Sequence, residues 1–94
     1  MDDIKNKLDK RFKITEEALG KVVIAKGNKN INSNEVGKDF LDLAKRYFND
    51  AKYFKEKGDL VNAFAAVTYA HAFLDCGARL GVFKVKDSRL FMVD

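Results

Sequence analysis

Apolar residues recur along most of this chain with a helical period, and the places where the period breaks divide it into segments. The clearest stretch is Val36, Phe40, Leu43, Ala44, Tyr47, Phe48, Ala51 and Phe54, which step by three and four and therefore line one side of a helix. The other side carries Lys38, Asp42, Lys45, Arg46, Asn49, Lys52 and Glu56, with Asp42 and Arg46 spaced and ordered as a helix-stabilising ion pair. This predicts a helix over about 35–57. Gly58 suits the left-handed residue that ends a helix, and Asp59 suits the N-cap of the next. So tight a junction sends the following helix back antiparallel.

That helix, over about 60–80, is apolar almost all round: Val61, Ala63, Phe64, Ala65, Ala66, Val67, Ala70, Ala72, Phe73, Leu74 and Ala78. A helix of this kind belongs in the middle of a domain. Gly77 costs ~1 kcal/mol relative to alanine within a helix, so its presence predicts a close neighbour there. Gly81 ends the segment.

The N-terminal third is less regular. Ile4, Leu8 and Phe12 recur every four residues and predict a helix over about 2–12. Thr15 can then cap a new start, with Glu16 and Glu17 at the positive end of its dipole and an Ile14–Leu19 staple. This gives a second helix over about 16–26 with Leu19, Val22 and Val23 facing inward. A single continuous helix with Thr15 on its buried face is the alternative. The polar run from Gly27 to Asn34 reads as a loop, with Gly27 as a helix C-cap. Asn32 and Glu35 form a variant capping box, stapled by Ile31 and Val36. The tail, 82–94, alternates at first and ends apolar in Leu90-Phe91-Met92-Val93. It could lie extended over its own domain, form a last turn after Asp87 or Ser88, or pair with another chain. The expected fold is all-α: a small bundle of three to four helices around a long antiparallel helical hairpin, with a short extended C-terminal tail, in one domain over 1–94.

Composition narrows this picture without redirecting it. Ninety-four residues should bury roughly 60–68% of the surface that the unfolded chain exposes, enough for one core. Hydrophobic residues at 47% and charged residues at 34% mark a globular chain, and the absence of proline leaves no forced kink. The single cysteine, Cys76, excludes an internal disulfide and a cysteine-rich zinc site, and favours a reduced, cytoplasmic protein. The acidic Met1-Asp2-Asp3 start is unlike a signal peptide, and no apolar run reaches the ~20 residues that span a bilayer. The net charge of +4 is mild. Lys5, Lys7, Lys10, Arg11 and Lys13 form the densest basic cluster, read either as a solvated helix face or, more weakly, as a nucleic-acid surface.

One set of polar residues stands out. Thr68, His71, Asp75 and Arg79 fall within a sector of roughly 80° on the otherwise apolar helix, and the i,i+4 pairs His71–Asp75 and Asp75–Arg79 can touch. Two readings follow. Asp75 could orient His71 as a base, with Arg79 holding an anion, in a small-molecule or hydrolytic site. Alternatively the group satisfies itself and fixes helix register. No nucleophile–base set with an oxyanion element is visible. His71 and Asp75 supply two metal ligands where a site needs three or four, so no metal and no cofactor is expected.

The stretch Tyr53-Phe54-Lys55-Glu56-Lys57-Gly58-Asp59-Leu60-Val61-Asn62-Ala63-Phe64, followed by Tyr69-Ala70-His71-Ala72-Phe73-Leu74-Asp75-Cys76-Gly77-Ala78-Arg79-Leu80-Gly81, resembles the archaeal family catalogued as domain of unknown function 357. The resemblance covers roughly residues 40–85. It implies a small helical cytoplasmic domain with an accessory or assembly role; it supplies no catalytic residues, and it points at an Asn62, His71, Asp75, Arg79 stripe. A tetratricopeptide hairpin shares the Gly58-Asp59 turn and the alanine pattern, but both helices are too long for one and no second copy follows. The combined expectation is a non-enzymatic interaction module. Its partners would be a second copy or another protein, reached through helix faces and the apolar tail.

Overall fold

The computed structural model describes residues 2–25, 33–85 and Leu90. It is three helices, α1 (Asp2–Lys21), α2 (Ser33–Glu56) and α3 (Leu60–Leu80), with two short strands, β1 (Val23–Ile24) and β2 (Phe83–Lys84). Helices α2 and α3 pack antiparallel as the long hairpin. The Gly27 cap, the Asn32–Glu35 box, the Ile31–Val36 staple and the turn after Asp87 or Ser88 involve residues outside those described.

Both glycine junctions work as the residue types require. Gly58 has φ of +76° and Gly81 of +86°. After α2, Asp59 N–H donates to the Phe54 carbonyl at 2.9 Å and Gly58 N–H to the Lys55 carbonyl at 3.1 Å. After α3, Val82 N–H donates to the Gly77 carbonyl at 3.0 Å and Gly81 N–H to Ala78 at 3.2 Å. These paired bonds satisfy the last carbonyls of each helix, and only a left-handed residue closes them without strain. Asp59 then caps α3, its Oδ1 accepting from Asn62 N–H at 3.2 Å.

The N-terminal third departs from expectation in two ways. First, α1 continues unbroken through Thr15, so the divided reading is replaced by the continuous one. Leu8, Phe12, Thr15 and Leu19 step by four, three and four, and Thr15 is buried on that stripe at 1% exposure. Second, α1 stops at Lys21 rather than running to residue 26, and Val23 is exposed rather than inward. Val22, Val23 and Ile24 are β-branched and favour extended backbone. They find a ladder partner in the tail: Val23 pairs with Lys84 and Ile24 with Phe83, antiparallel. Ala25 N–H extends the ladder to the Val82 carbonyl at 2.8 Å.

Two apolar clusters hold the layers together. Leu8, Phe48, Ala51, Ala63, Ala66, Val67 and Ala70 form one. Ala18, Ala44, Leu74, Val82, Phe83 and Leu90 form the other. The start of α1 therefore meets the end of α2 and the start of α3, so α1 runs antiparallel to α2 and parallel to α3. Small residues allow close approach at two points. A Cβ on Gly77 would fall into the Phe83 ring, and one on Gly37 would sit 2.9 Å from Ile24 Cγ2 and 3.2 Å from the Val82 carbonyl. Gly77 thus accommodates the ribbon rather than another helix. Gly37, which helical periodicity passes over, does the same from α2.

At the hairpin end α1 is pinned to α2. Lys55 Nζ lies 2.7 Å from Asp9 Oδ1 and 4.7 Å from the centre of the Phe12 ring. The hydrogen bond from Lys55 and its charge, with Lys13 and Lys5 nearby, hold the Asp9 carboxyl below its ordinary range. Its folded value is thus lower than its unfolded one, so this pair stabilises the fold above about pH 4 and the contribution disappears as pH falls through the folded value. Thermal unfolding of Lys55→Met should therefore lose part of the acid sensitivity that the parent shows as pH falls below about 4.

Candidate functional site

His71 lies half-buried near the middle of α3, on the side that faces α1 and the C-terminal segment. Its Nδ1 is 3.0 Å from the Thr15 Oγ1 of α1, and its Nε2 is 2.7 Å from the Leu90 carbonyl oxygen. A carbonyl only accepts, so Nε2 carries a proton. In the neutral ring Nδ1 then accepts from the Thr15 hydroxyl. In the charged ring Nδ1 donates to the same oxygen. Asp75 Oδ1 stands 3.6 Å from Nε2, one helical turn along, where it favours the Nε2–H edge. One imidazole thereby ties three segments together: α1, α3 and the chain at Leu90.

The continuous α1 is what makes this geometry. Thr15 sits in mid-helix on the buried stripe, and its hydroxyl needs a partner that α3 supplies. Among the described residues no buried side-chain polar atom lacks one. Leu90, 1% exposed, is seated in the second apolar cluster. Of the destinations open to the apolar terminus, Leu90 takes the one on its own domain. Phe91, Met92 and Val93 lie outside the described residues.

Asn62 of the stripe goes to a different place. Asn62 is at the N-terminal end of α3, where its Nδ2 donates to Asp59 Oδ2 at 2.6 Å, so it braces the cap and is remote from His71. Thr68 and Arg79 are exposed. His71 and Asp75 are brought together with Thr15 and Leu90. Both ring nitrogens have partners within the fold, so His71 acts as a bracket between α1, α3 and the chain at Leu90. Thr15 was legible as a buried hydroxyl from its four-three-four spacing with Leu8, Phe12 and Leu19. The Leu90 carbonyl had no sequence signal at all.

Elsewhere the surface is divided. Lys5, Lys7, Lys10, Arg11 and Lys13 are exposed and, at 100° per residue, spread around most of the solvent side of α1 rather than along one line. A cleft of about 590 Å³ beside the hairpin turn is lined by Lys5, Leu8, Asp9, Lys55, Glu56 and Leu60, with cations and carboxylates balanced. Among the described residues no group of three or more His, Cys, Asp or Glu could hold a metal ion, and no helix is long and apolar enough to cross a membrane.

The outward side of α3 is of another character. Val61 is 80% exposed, Tyr69 57% and Leu80 48%. Ala65, Thr68, Ala72 and Cys76 between them are exposed too. The helix expected to be buried all round touches α1, α2 and β2 but has one open face. Two neighbouring helices do not close a circumference. An aromatic series runs from this face into the α2–α3 seam: Tyr69 stacks on Tyr47 at 5.3 Å, Tyr47 on Phe73 at 5.8 Å, and Phe73 meets Phe40 edge-on at 5.8 Å.

No curated protein and no solved structure matches this chain. A family model does, over residues 10–83, described as "Protein of unknown function (DUF357)". The matched span takes in Thr15, the whole hairpin, the Gly77–Phe83 contact and His71, and extends further towards the N-terminus than the motifs around Gly58-Asp59 and His71 reach. With most of its length covered, the chain belongs to the DUF357 family of proteins of unknown function.

Proposed function

We propose that this protein is a non-enzymatic helical interaction module that docks through the outward face of α3. The carrying observation is the exposure of Val61, Tyr69 and Leu80 on one side of a helix whose other outward positions there are Ala65, Thr68, Ala72 and Cys76, with Arg79 at its C-terminal end. A contiguous apolar strip on a small domain marks an interaction surface, since leaving it in water forgoes ~25 cal/mol for each Å². The outer side of α2, by contrast, carries the charged residues that suit solvent. The placement of His71 between Thr15 and Leu90 is in keeping with this reading, since it gives the one imidazole of the chain a structural task. The reading includes a reducing cytoplasmic setting, in which the exposed thiol of Cys76 persists, and the archaeal origin that the sequence resemblance implied.

The test places a photo-crosslinking side chain at Ala72 on α3 or at Asn49 on the outer side of α2, in cells that make the protein. A protein adduct identified by mass spectrometry should form from Ala72 and not from Asn49. Equal adducts from both positions, or none from Ala72, would sink the proposal. Ala72→Asp should leave the melting temperature within about 2–4 °C of the parent, corresponding to the ±0.5 kcal/mol of a surface change.

A further inference from the structure

We infer that the occupant of the α3 face is a second copy of this chain, laid antiparallel on a two-fold axis near Ala70. This inference rests on the docking role of that face and names its partner.

The first support is the spacing. Val61, Ala65, Thr68, Ala72, Asp75 and Arg79 step by four, three, four, three and four along α3, the interval of a helix–helix seam. The series reads the same from either end. Two antiparallel copies therefore bring Val61 opposite Arg79, Ala65 opposite the Asp75–Cys76 step, and Thr68 opposite Ala72, each pair occurring twice. An isologous interface has this self-complementarity. The innermost pair, Thr68 and Ala72, and Ala65 beside it are small, so the helix axes can approach to ~8 Å, with the half-buried Asp75 opposite Ala65. Tyr69 and Leu80 lie between the seam and α2 and flank the contact.

The second support is charge. Arg79 is the one charged residue among the exposed positions of α3, and it stands at the C-terminal end. Asp59 caps the N-terminal end, and its two oxygens, which accept from Asn62, retain further lone pairs for a guanidinium. Antiparallel pairing sets Arg79 of each copy beside Asp59 of the other and opposes the helix dipoles. Parallel pairing would stack Arg79 on Arg79. The outer side of α2, with Lys38, Lys45, Arg46 and Lys52 among its charges, offers no such self-match.

The third is size. A 21-residue helix is ~32 Å long, and one face of it buries on the order of 400–500 Å² per copy. The total falls below the ~1,200 Å² of stable complexes, in the class of weak, exchanging ones, so the dimer is in equilibrium with monomer.

The experiment uses the full chain with Ala65→Cys. The new thiol at position 65 meets Cys76 of the other copy, within one residue of axial register and on the same side of the seam. Mild oxidation should give a covalent dimer on a non-reducing gel, symmetric and doubly linked. The parent, whose two Cys76 thiols are ~18 Å apart along the axis, should not crosslink, and neither should Ala65→Cys with Cys76→Ser. Sedimentation equilibrium should show the parent associating, Ala72→Arg monomeric with an unchanged melting temperature, and Arg79→Glu about tenfold weaker. A parent that stays monomeric to about millimolar concentration, a parent that crosslinks through Cys76 as parallel pairing requires, or an Ala65→Cys variant that remains monomeric overturns the inference. If any of these occurs while Ala72 still crosslinks to a different protein in cells, the docking role stands and the second copy does not.

Discussion

Gly77→Ala is expected to destabilise the protein by about 1–3 kcal/mol, although alanine is the better helix former by ~1 kcal/mol. The added methyl would overlap Cε2 and Cδ2 of the Phe83 ring and lie 2.9 Å from its Cζ. The ring cannot easily swing away. It is buried in the cluster with Leu74, Val82 and Leu90, and its backbone is paired to Ile24. Relief must come from parting β2 from α3, which also strains the Val82 and Gly81 bonds to the Gly77 carbonyl. Urea unfolding followed by helical circular dichroism measures the cost. Phe83→Ala should itself cost about 3–5 kcal/mol. In that background the same glycine change should become neutral or stabilising by up to ~1 kcal/mol, as propensity alone dictates. A Gly77→Ala protein more stable than its parent would mean that the ring does not rest on this glycine.

The second large effect belongs to His71. Its replacement by alanine removes the bonds to Leu90 and Thr15 and leaves the Thr15 hydroxyl buried without its partner across the interface. A loss of about 2–4 kcal/mol follows. Removing both sides should hurt less than their sum: in a Thr15→Val background, His71→Ala should cost about 1 kcal/mol less, because no hydroxyl is orphaned. The C-terminal segment supplies a separate readout. Without the Nε2–H bond, amide exchange near Leu90 should accelerate more than exchange in α2. If His71→Ala left stability and exchange unchanged, the imidazole would not be what ties Leu90 and α1 to α3.

The two variants probe the same join from opposite sides. Gly77–Phe83 holds the ribbon against the C-terminal half of α3, and His71–Leu90 holds the chain a few residues later. Both bind the C-terminal segment to its own domain, which is why we place the partner surface on the opposite, outward side of α3.

Much of the fold was legible because it is written in local terms. The three-and-four spacing from Val36 to Phe54 defines an amphipathic helix without reference to any other segment. Gly58-Asp59 states both an end and a beginning, since a left-handed residue and a capping carboxylate each act within four residues of themselves. Gly81 is of the same kind. The grouping of His71 with Asp75 also follows from helical spacing alone.

What only the tertiary structure decided depends on contacts between residues far apart in the chain. Thr15 reads equally well as a cap or as a buried mid-helix residue until His71, fifty-six positions later, supplies its partner. Val23 and Ile24 match an inward helical face until Phe83 and Lys84 offer a ladder. Gly77 announced a close neighbour, but not that the neighbour is a phenylalanine from the tail. The apolar composition of α3 implied burial on every side, and composition cannot count neighbours: with only two helices against it, one face stays in solvent. Local spacing fixes which residues share a face, because the helix period is a property of the backbone. Whether that face meets core, ribbon or water is set by how few segments this short chain has to cover it.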